Sequence, residues 1–113
     1  MPVDATVDTF GELTKAGAIL VDFWGPRCQP CLAMMPTIAR LEEEAGGAVA
    51  VVKVNAPENR QVCRDLRVIG LPTYVLMRDG VELERLSGDV AKGDVERAFE
   101  TLKTKTKEGG VVA

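Results

Sequence analysis

The chain has 113 residues, of which 46% are hydrophobic and 27% charged, and a net charge of −3, which suits one compact domain around a single core. An acidic chain without a basic stripe is a poor match for a nucleic-acid backbone. The longest apolar runs, Ala18–Val21 and Ala48–Val52, fall far short of the ~20 residues that a membrane helix needs. Nucleic acid and membrane are therefore not expected partners.

The start, Met1-Pro2-Val3-Asp4, has no basic region and no apolar stretch after it. The expectation is a chain without a signal peptide, resident in the cytoplasm. Pro2–Ala5 leaves little room for a strand. Thr9–Lys15 is a short helical candidate with Phe10 and Leu13 on one face. Ala18–Trp24 (AILVDFW) is nearly all apolar and too short for a typical helix, so it reads as a strand covered on both faces.

Cys28–Ala45 reads as a helix, with Met34, Ile38, Leu41 and Ala45 on its inner stripe and Glu42–Glu44 toward solvent. Pro36 lies inside it, where a missing N–H predicts a kink. Gly46-Gly47 ends it. Ala48–Val54 is a second covered strand. Asn59 is placed to cap a short helix ending near Leu66, whose inner face carries Val62 and Leu66.

Thr73–Arg78 and Val81–Leu86 flank Asp79-Gly80, a dipeptide that favours a two-residue hairpin. Val81 and Leu83 alternate with Glu82 and Glu84, which predicts one solvated face, and Arg85-Leu86 breaks the alternation as a bulge would. Val95, Ala98, Phe99 and Leu102 form the stripe of a last helix. The order predicts an α/β domain over 1–104, with one central mixed sheet of four to five strands and helices on both faces. Residues 105–113 are expected to be a flexible tail.

Cys28-Gln29-Pro30-Cys31 falls where the first covered strand ends and a helix begins. Three cysteines are too few, and the wrong parity, for a disulfide-stapled secreted domain. In a reducing compartment a C-x-x-C is redox-active or metal-binding, with a packing role as the bland alternative. A zinc site needs about four ligands, and this chain has no histidine and only Cys63 beyond the pair. Pro30 suits a first helical turn. Cys28 then stands at the cap, where a thiolate would meet free N–H groups and the positive end of the helix dipole.

Arg27 adds a cation beside it. A thiol of pKa ~8.5 is only about 3% ionised at pH 7, so depression of that pKa directly raises the population of the attacking species. Cys28 is the expected nucleophile and Cys31, inside the helix, the resolving thiol.

Asp22 interrupts one apolar strand and Lys53 the other. Lone charges in covered strands are costly unless paired or neutralised. If the strands are neighbours the two meet beneath the cysteines, where a desolvated carboxyl would have a raised pKa and could take a proton from Cys31. The other reading is an edge strand with Asp22 in water. Cys63, beside Val62, reads as a small packing residue, with a regulatory or intermolecular disulfide as the alternative.

Taken together, these residues resemble the thioredoxin family over roughly 9–103. Gly17–Trp24 is similar to its central strand, Cys28-Gln29-Pro30-Cys31 to its C-G-P-C, Pro36 to its helix proline and Lys53 to the lysine of the next strand. Gly70-Leu71-Pro72-Thr73 resembles its cis-proline loop, and Gly88 its substrate-groove glycine.

The resemblance implies a thioredoxin fold and a protein-disulfide reductase. In it Cys28 attacks, Cys31 resolves, Asp22 accepts the proton and Lys53 and Pro72 complete the centre. Trp24, Arg27, Gln29, Pro30, Gly70, Leu71 and Gly88 would face the substrate, with the Leu71 backbone pairing with an extended segment. From the residues alone Leu71-Pro72 could equally be an ordinary trans start of a strand.

Disulfide-containing proteins and a thioredoxin reductase are the implied partners, with no bound cofactor and a monomeric chain. Two departures stand out. Arg27 replaces the family's tryptophan and Gln29 its glycine, while Pro57 stands where an aspartate usually holds that tryptophan. The expectation is a rebuilt substrate surface over an intact chemical centre; Arg27 suggests acidic or otherwise specialised partners, with a plain solvated surface residue as the other reading. An isomerase or oxidant, and a binding module with incidental thiols, remain alternative functions.

Overall fold

A computed structural model describes residues 1–104; the expected tail, 105–113, lies outside them. Five strands, β1 (Val3–Ala5), β2 (Ala18–Trp24), β3 (Ala50–Asn55), β4 (Thr73–Arg78) and β5 (Val81–Ser87), alternate with helices α1 (Phe10–Thr14), α2 (Gln29–Ala45), α3 (Arg60–Leu66) and α4 (Lys92–Thr104). The sheet order is β1-β3-β2-β4-β5. β1, β3 and β2 run parallel, whereas β4 and β5 are antiparallel additions. The mixed sheet expected from the order of elements is therefore present.

β2 is central and almost continuously apolar because helices cover both of its faces. Leu20, Val51, Tyr74 and Leu76 pack on one side with Ile38 of α2 and Val95, Phe99 and Leu102 of α4. Ile19, Val21, Phe23, Val54 and Val75 pack on the other with Val62 of α3 and with Phe10 and Leu13 of α1. This alternation decides which side chains reach the C-terminal end of β2, where the cysteines lie. Asp79 and Gly80 both adopt positive φ, 51° and 84°, the conformation that a tight two-residue hairpin turn demands. Asp79 also bonds Gly17 twice, as acceptor at Oδ1 (2.8 Å) and as backbone donor to its carbonyl (3.0 Å).

Four expectations are corrected. Pro2–Ala5 does hold a strand: β1 pairs with β3 from Val3↔Val52 to Ala5↔Val54, because three residues suffice to finish the parallel edge. Glu42 does not face solvent. It lies four residues after Ile38, on the inner stripe, and is buried with its Oε2 accepting from the Val51 N–H at 2.8 Å.

Asn59 precedes α3 but its side chain does not cap it. It accepts from the Val7 N–H at 3.2 Å and donates to the Asn55 carbonyl at 3.0 Å, joining loops instead. The irregularity of β5 falls at Leu83, not at Arg85-Leu86. Glu82 pairs with Met77 and Glu84 with Leu76, leaving Leu83 unpaired in the register. On this edge strand Val81 and Leu83 are exposed, so their alternation does not mark a buried face.

Candidate active site

The end of β2 turns sharply: the Cys28 N–H donates to the Gly25 carbonyl at 3.0 Å. Cys28 is extended (φ −92°, ψ 98°) and occupies the N-cap of α2, with Pro30 in the first turn. Its Sγ accepts from the Cys31 N–H at 3.2 Å. A cap sulfur thus occupies the place usually taken by a serine or aspartate oxygen. Cys28 and Cys31 are joined as a disulfide, with Cα atoms 5.2 Å apart. Their environments differ: Cys28 is half-buried, while Cys31 is 0% exposed.

Beside Cys28 lies an apolar cavity of about 440 Å³, lined by Gly25, Pro26, Arg27, Cys28, Pro57 and Leu71. It brings together Arg27 and Leu71, two residues expected to face the substrate. Pro57, flagged as a departure, forms one of its walls. Gly25 allows the close approach of that wall, since a Cβ there would lie 3.1 Å from Leu71 Cδ1 and 3.6 Å from Pro57 Cδ.

The Leu71–Pro72 peptide is cis and Pro72 is buried. The Thr73 hydroxyl holds this loop by donating to the Gly70 carbonyl at 2.6 Å. Gln29, Pro30 and Gly70 are exposed and lie outside the cavity lining. Gly88 is also apart from it, beyond β5, at φ 80°.

A polar layer lies across β2 and β3. Asp22 and Lys53 are register partners on the neighbouring parallel strands β2 and β3. Asp22 is 1% exposed, which removes the reading of an edge-strand residue in water, and neither carboxylate oxygen has a hydrogen-bond partner among the described residues. Burial pushes its carboxyl up to about 7, against the opposing pull of Lys53. The Lys53 Nζ lies 3.8 Å from Asp4 Oδ1 and 5.4 Å from the Trp24 ring centroid. Trp24, expected at the substrate surface, therefore stacks with this layer and takes no part in the cavity wall.

Tyr74 was not singled out by sequence reasoning. It is the register partner of Asp22 on β4 and is fully buried, with no hydrogen-bond partner for its hydroxyl among the described residues. Burial first, and the Asp22 charge second, hold its phenol above the ordinary range. The available signal was one phenol in the otherwise aliphatic stretch YVLM, a pattern that also fits plain packing. Cys63 is partly buried and packs against the α1/α3 core, as its sequence setting suggested. Burial pushes its thiol up, the opposite of what an attacking cysteine requires.

The sequence pattern of the thioredoxin family matches residues 2–101. The chain belongs to the thioredoxin family. It is 34% identical over 86 residues to the thioredoxin of Bacillus subtilis, covering 76% of this chain and 83% of that one. With the thioredoxin of Listeria monocytogenes it shares 31% identity over 99 residues, 88% of this chain and 96% of the relative. With that of Mycolicibacterium smegmatis it shares 35% over 95 residues, 80% and 83% respectively.

Thioredoxin membership and the paired cysteines together make this chain a protein disulfide oxidoreductase, acting by thiol–disulfide exchange. Within the described residues no helix is long and apolar enough to cross a membrane.

Proposed function

We propose that this protein reduces disulfides in other proteins, with Cys28 as nucleophile and Cys31 as resolving thiol. The Cys28 thiolate attacks one sulfur of a substrate disulfide; that bond breaks, and the departing substrate sulfur leaves as a thiolate. Cys31 gives its proton to Asp22, attacks Cys28 Sγ and expels the second substrate sulfur. The substrate gains two electrons and the Cys28–Cys31 disulfide forms. A thioredoxin reductase returns the two electrons in the cytoplasm. The pair thereby acts as an electron carrier, as a monomer and without a bound cofactor.

The reading rests on the asymmetry of the two sulfurs: one half-buried at a helix cap beside a cavity, the other wholly buried one turn inside. Only the first is open to a protein-sized disulfide, and only the second is shielded enough to wait for an intramolecular step. The Asp22 carboxyl, poised at about 7, has the affinity for a proton that a general base needs near neutral pH. Lys53 keeps a cation beside that carboxyl.

Pro72 and the Leu71 backbone present an extended surface to the substrate, bounded by Arg27, Gln29, Pro30, Gly70 and Gly88. Trp24 supports the layer beneath.

The experiment is trapping. Cys31→Ser, reduced and exposed to disulfide-bearing proteins, should accumulate mixed disulfides at Cys28. Cys28→Ser should neither reduce insulin nor form adducts. Adducts mapped by mass spectrometry to Cys31 or Cys63 in the wild-type chain would overturn the assignment.

A further inference from the structure

A second cavity, of about 390 Å³, lies along α3 and the loop before Pro72. It shares Pro57 and Leu71 with the cavity beside Cys28, so the two adjoin at these side chains as a trough in two parts. Its lining is mixed: Ala56, Pro57, Val68 and Leu71 are apolar, Arg60, Arg64 and the Cys63 thiol are polar, and Ile69 stands among them 98% exposed. Together with Val68 and Leu71 of the same lining, Ile69 offers a partner's apolar side chain a place to sit.

Its charge is one-sided. Arg60 and Arg64, one helical turn apart on α3, both line the cavity, and Arg27 lines its neighbour. None of the three makes an ion pair among the described residues. Arg64 donates to the neutral Gln61 Oε1, at 2.9 Å. The nearest acid on the same helix, Asp65, accepts from Gln61 Nε2 at 2.8 Å and is not part of the lining. Three unpaired guanidiniums on a chain whose net charge is −3 are a local reversal of sign. Guanidinium is the side chain best shaped for carboxylates.

We propose that this trough selects disulfide-bearing partners whose segment next to the reacting cysteine is extended and acidic, with an apolar side chain seated against Ile69 and Leu71. Carboxylates on either side of that side chain meet Arg60, Arg64 and Arg27. The proposal deepens the reductase reading and rests on it for the chemistry, while the recognition step itself transfers no electrons.

That separation permits a test by binding alone. Short fluorescent peptides, with serine in place of cysteine and a central leucine flanked by either glutamates or lysines, are titrated against the oxidised protein by anisotropy. At an ionic strength of about 0.02 M the glutamate peptide should bind roughly ten-fold more tightly than the lysine peptide, and the ratio should shrink at about 0.3 M. The R60Q/R64Q variant, with its fold checked by circular dichroism, should bring the two affinities within about two-fold.

Equal affinities in the wild type, no measurable binding of either peptide, or a preference that survives R60Q/R64Q would each overturn the proposal. An insulin reduction assay run in parallel reports on the reductase reading separately. A protein that reduces insulin but shows no acidic preference loses only this inference; one with the preference but no turnover loses only the other.

Discussion

Asp22 and Lys53 stand side by side in the register of β2 and β3, yet the carboxylate has no hydrogen-bond partner among the described residues while the ammonium is shared with Asp4 and the Trp24 ring. The pair is thus only half made. Lys53 lowers the cost of a charge on Asp22 without cancelling it, which is why burial wins and the carboxyl rises to about 7. A tight ion pair would have left Asp22 a poor base.

The first prediction concerns stability. With a folded pKa of about 7 and an unfolded value near ~3.9, the native state holds more protons than the unfolded state between those limits. Stability contributed by Asp22 is therefore full below pH ~4 and is lost as pH rises through about 7, levelling off above it. Asp22→Asn should flatten that slope in denaturant titrations, stabilising the protein at pH 8 by at most about 4 kcal/mol. A variant with an unchanged slope would contradict it.

The same substitution should separate the two chemical steps. Stopped-flow measurement with Asp22→Asn should find resolution by Cys31 slowed by at least ~10-fold, with first attack by Cys28 much less affected. Equal slowing of both steps would remove the proton-acceptor role.

Tyr74 offers a test in the opposite direction. Its hydroxyl is buried without a partner among the described residues, so Tyr74→Phe keeps the volume and deletes only a desolvated oxygen. Thermal unfolding should show no loss and a gain of up to about 1 kcal/mol, whereas Tyr74→Ala should cost roughly 3–5 kcal/mol through the void it leaves. A Phe variant as damaged as Ala would mean that the hydroxyl has an important partner.

Glu42 is a buried acid that serves the sheet. Truncating it in Glu42→Ala strands the Val51 N–H, which it accepts at 2.8 Å, and should cost about 1–3 kcal/mol in urea denaturation. A neutral result would show that the strand donor finds another acceptor.

Gly25 bears on the cavity. A Cβ there would sit 3.1 Å from Leu71 Cδ1, so Gly25→Ala should push that side chain into the trough. Turnover of protein disulfides should show a raised KM, with small aromatic disulfides reduced nearly as before. A KM unchanged for both would show that Leu71 yields elsewhere.

Much of this site was legible because its parts obey short-range rules. A C-x-x-C between a strand and a helix with Pro30 at its start dictates which sulfur caps and which is buried, and an apolar strand broken once, at Asp22, announces a buried charge. Glu42, Asn59 and Leu83 were misplaced because their positions depend on partners far away in sequence: the Val51 N–H, the Val7 loop and the register of β4. Tyr74 escaped notice because a buried hydroxyl is defined by what lies opposite it, and only strand pairing reveals Asp22 there. The trough along α3 likewise depends on the approach of Pro57 and Leu71 across a loop.

The bond from the Cys31 N–H to Cys28 Sγ exists while the sulfurs are still oxidised. When the disulfide opens, the incoming negative charge therefore settles on an atom whose dipole is already aimed at it. Little backbone has to be rearranged to receive the electrons, and little has to be undone to give them up. Passage between the two oxidation states can be quick in both directions, a property suited to thiol–disulfide exchange.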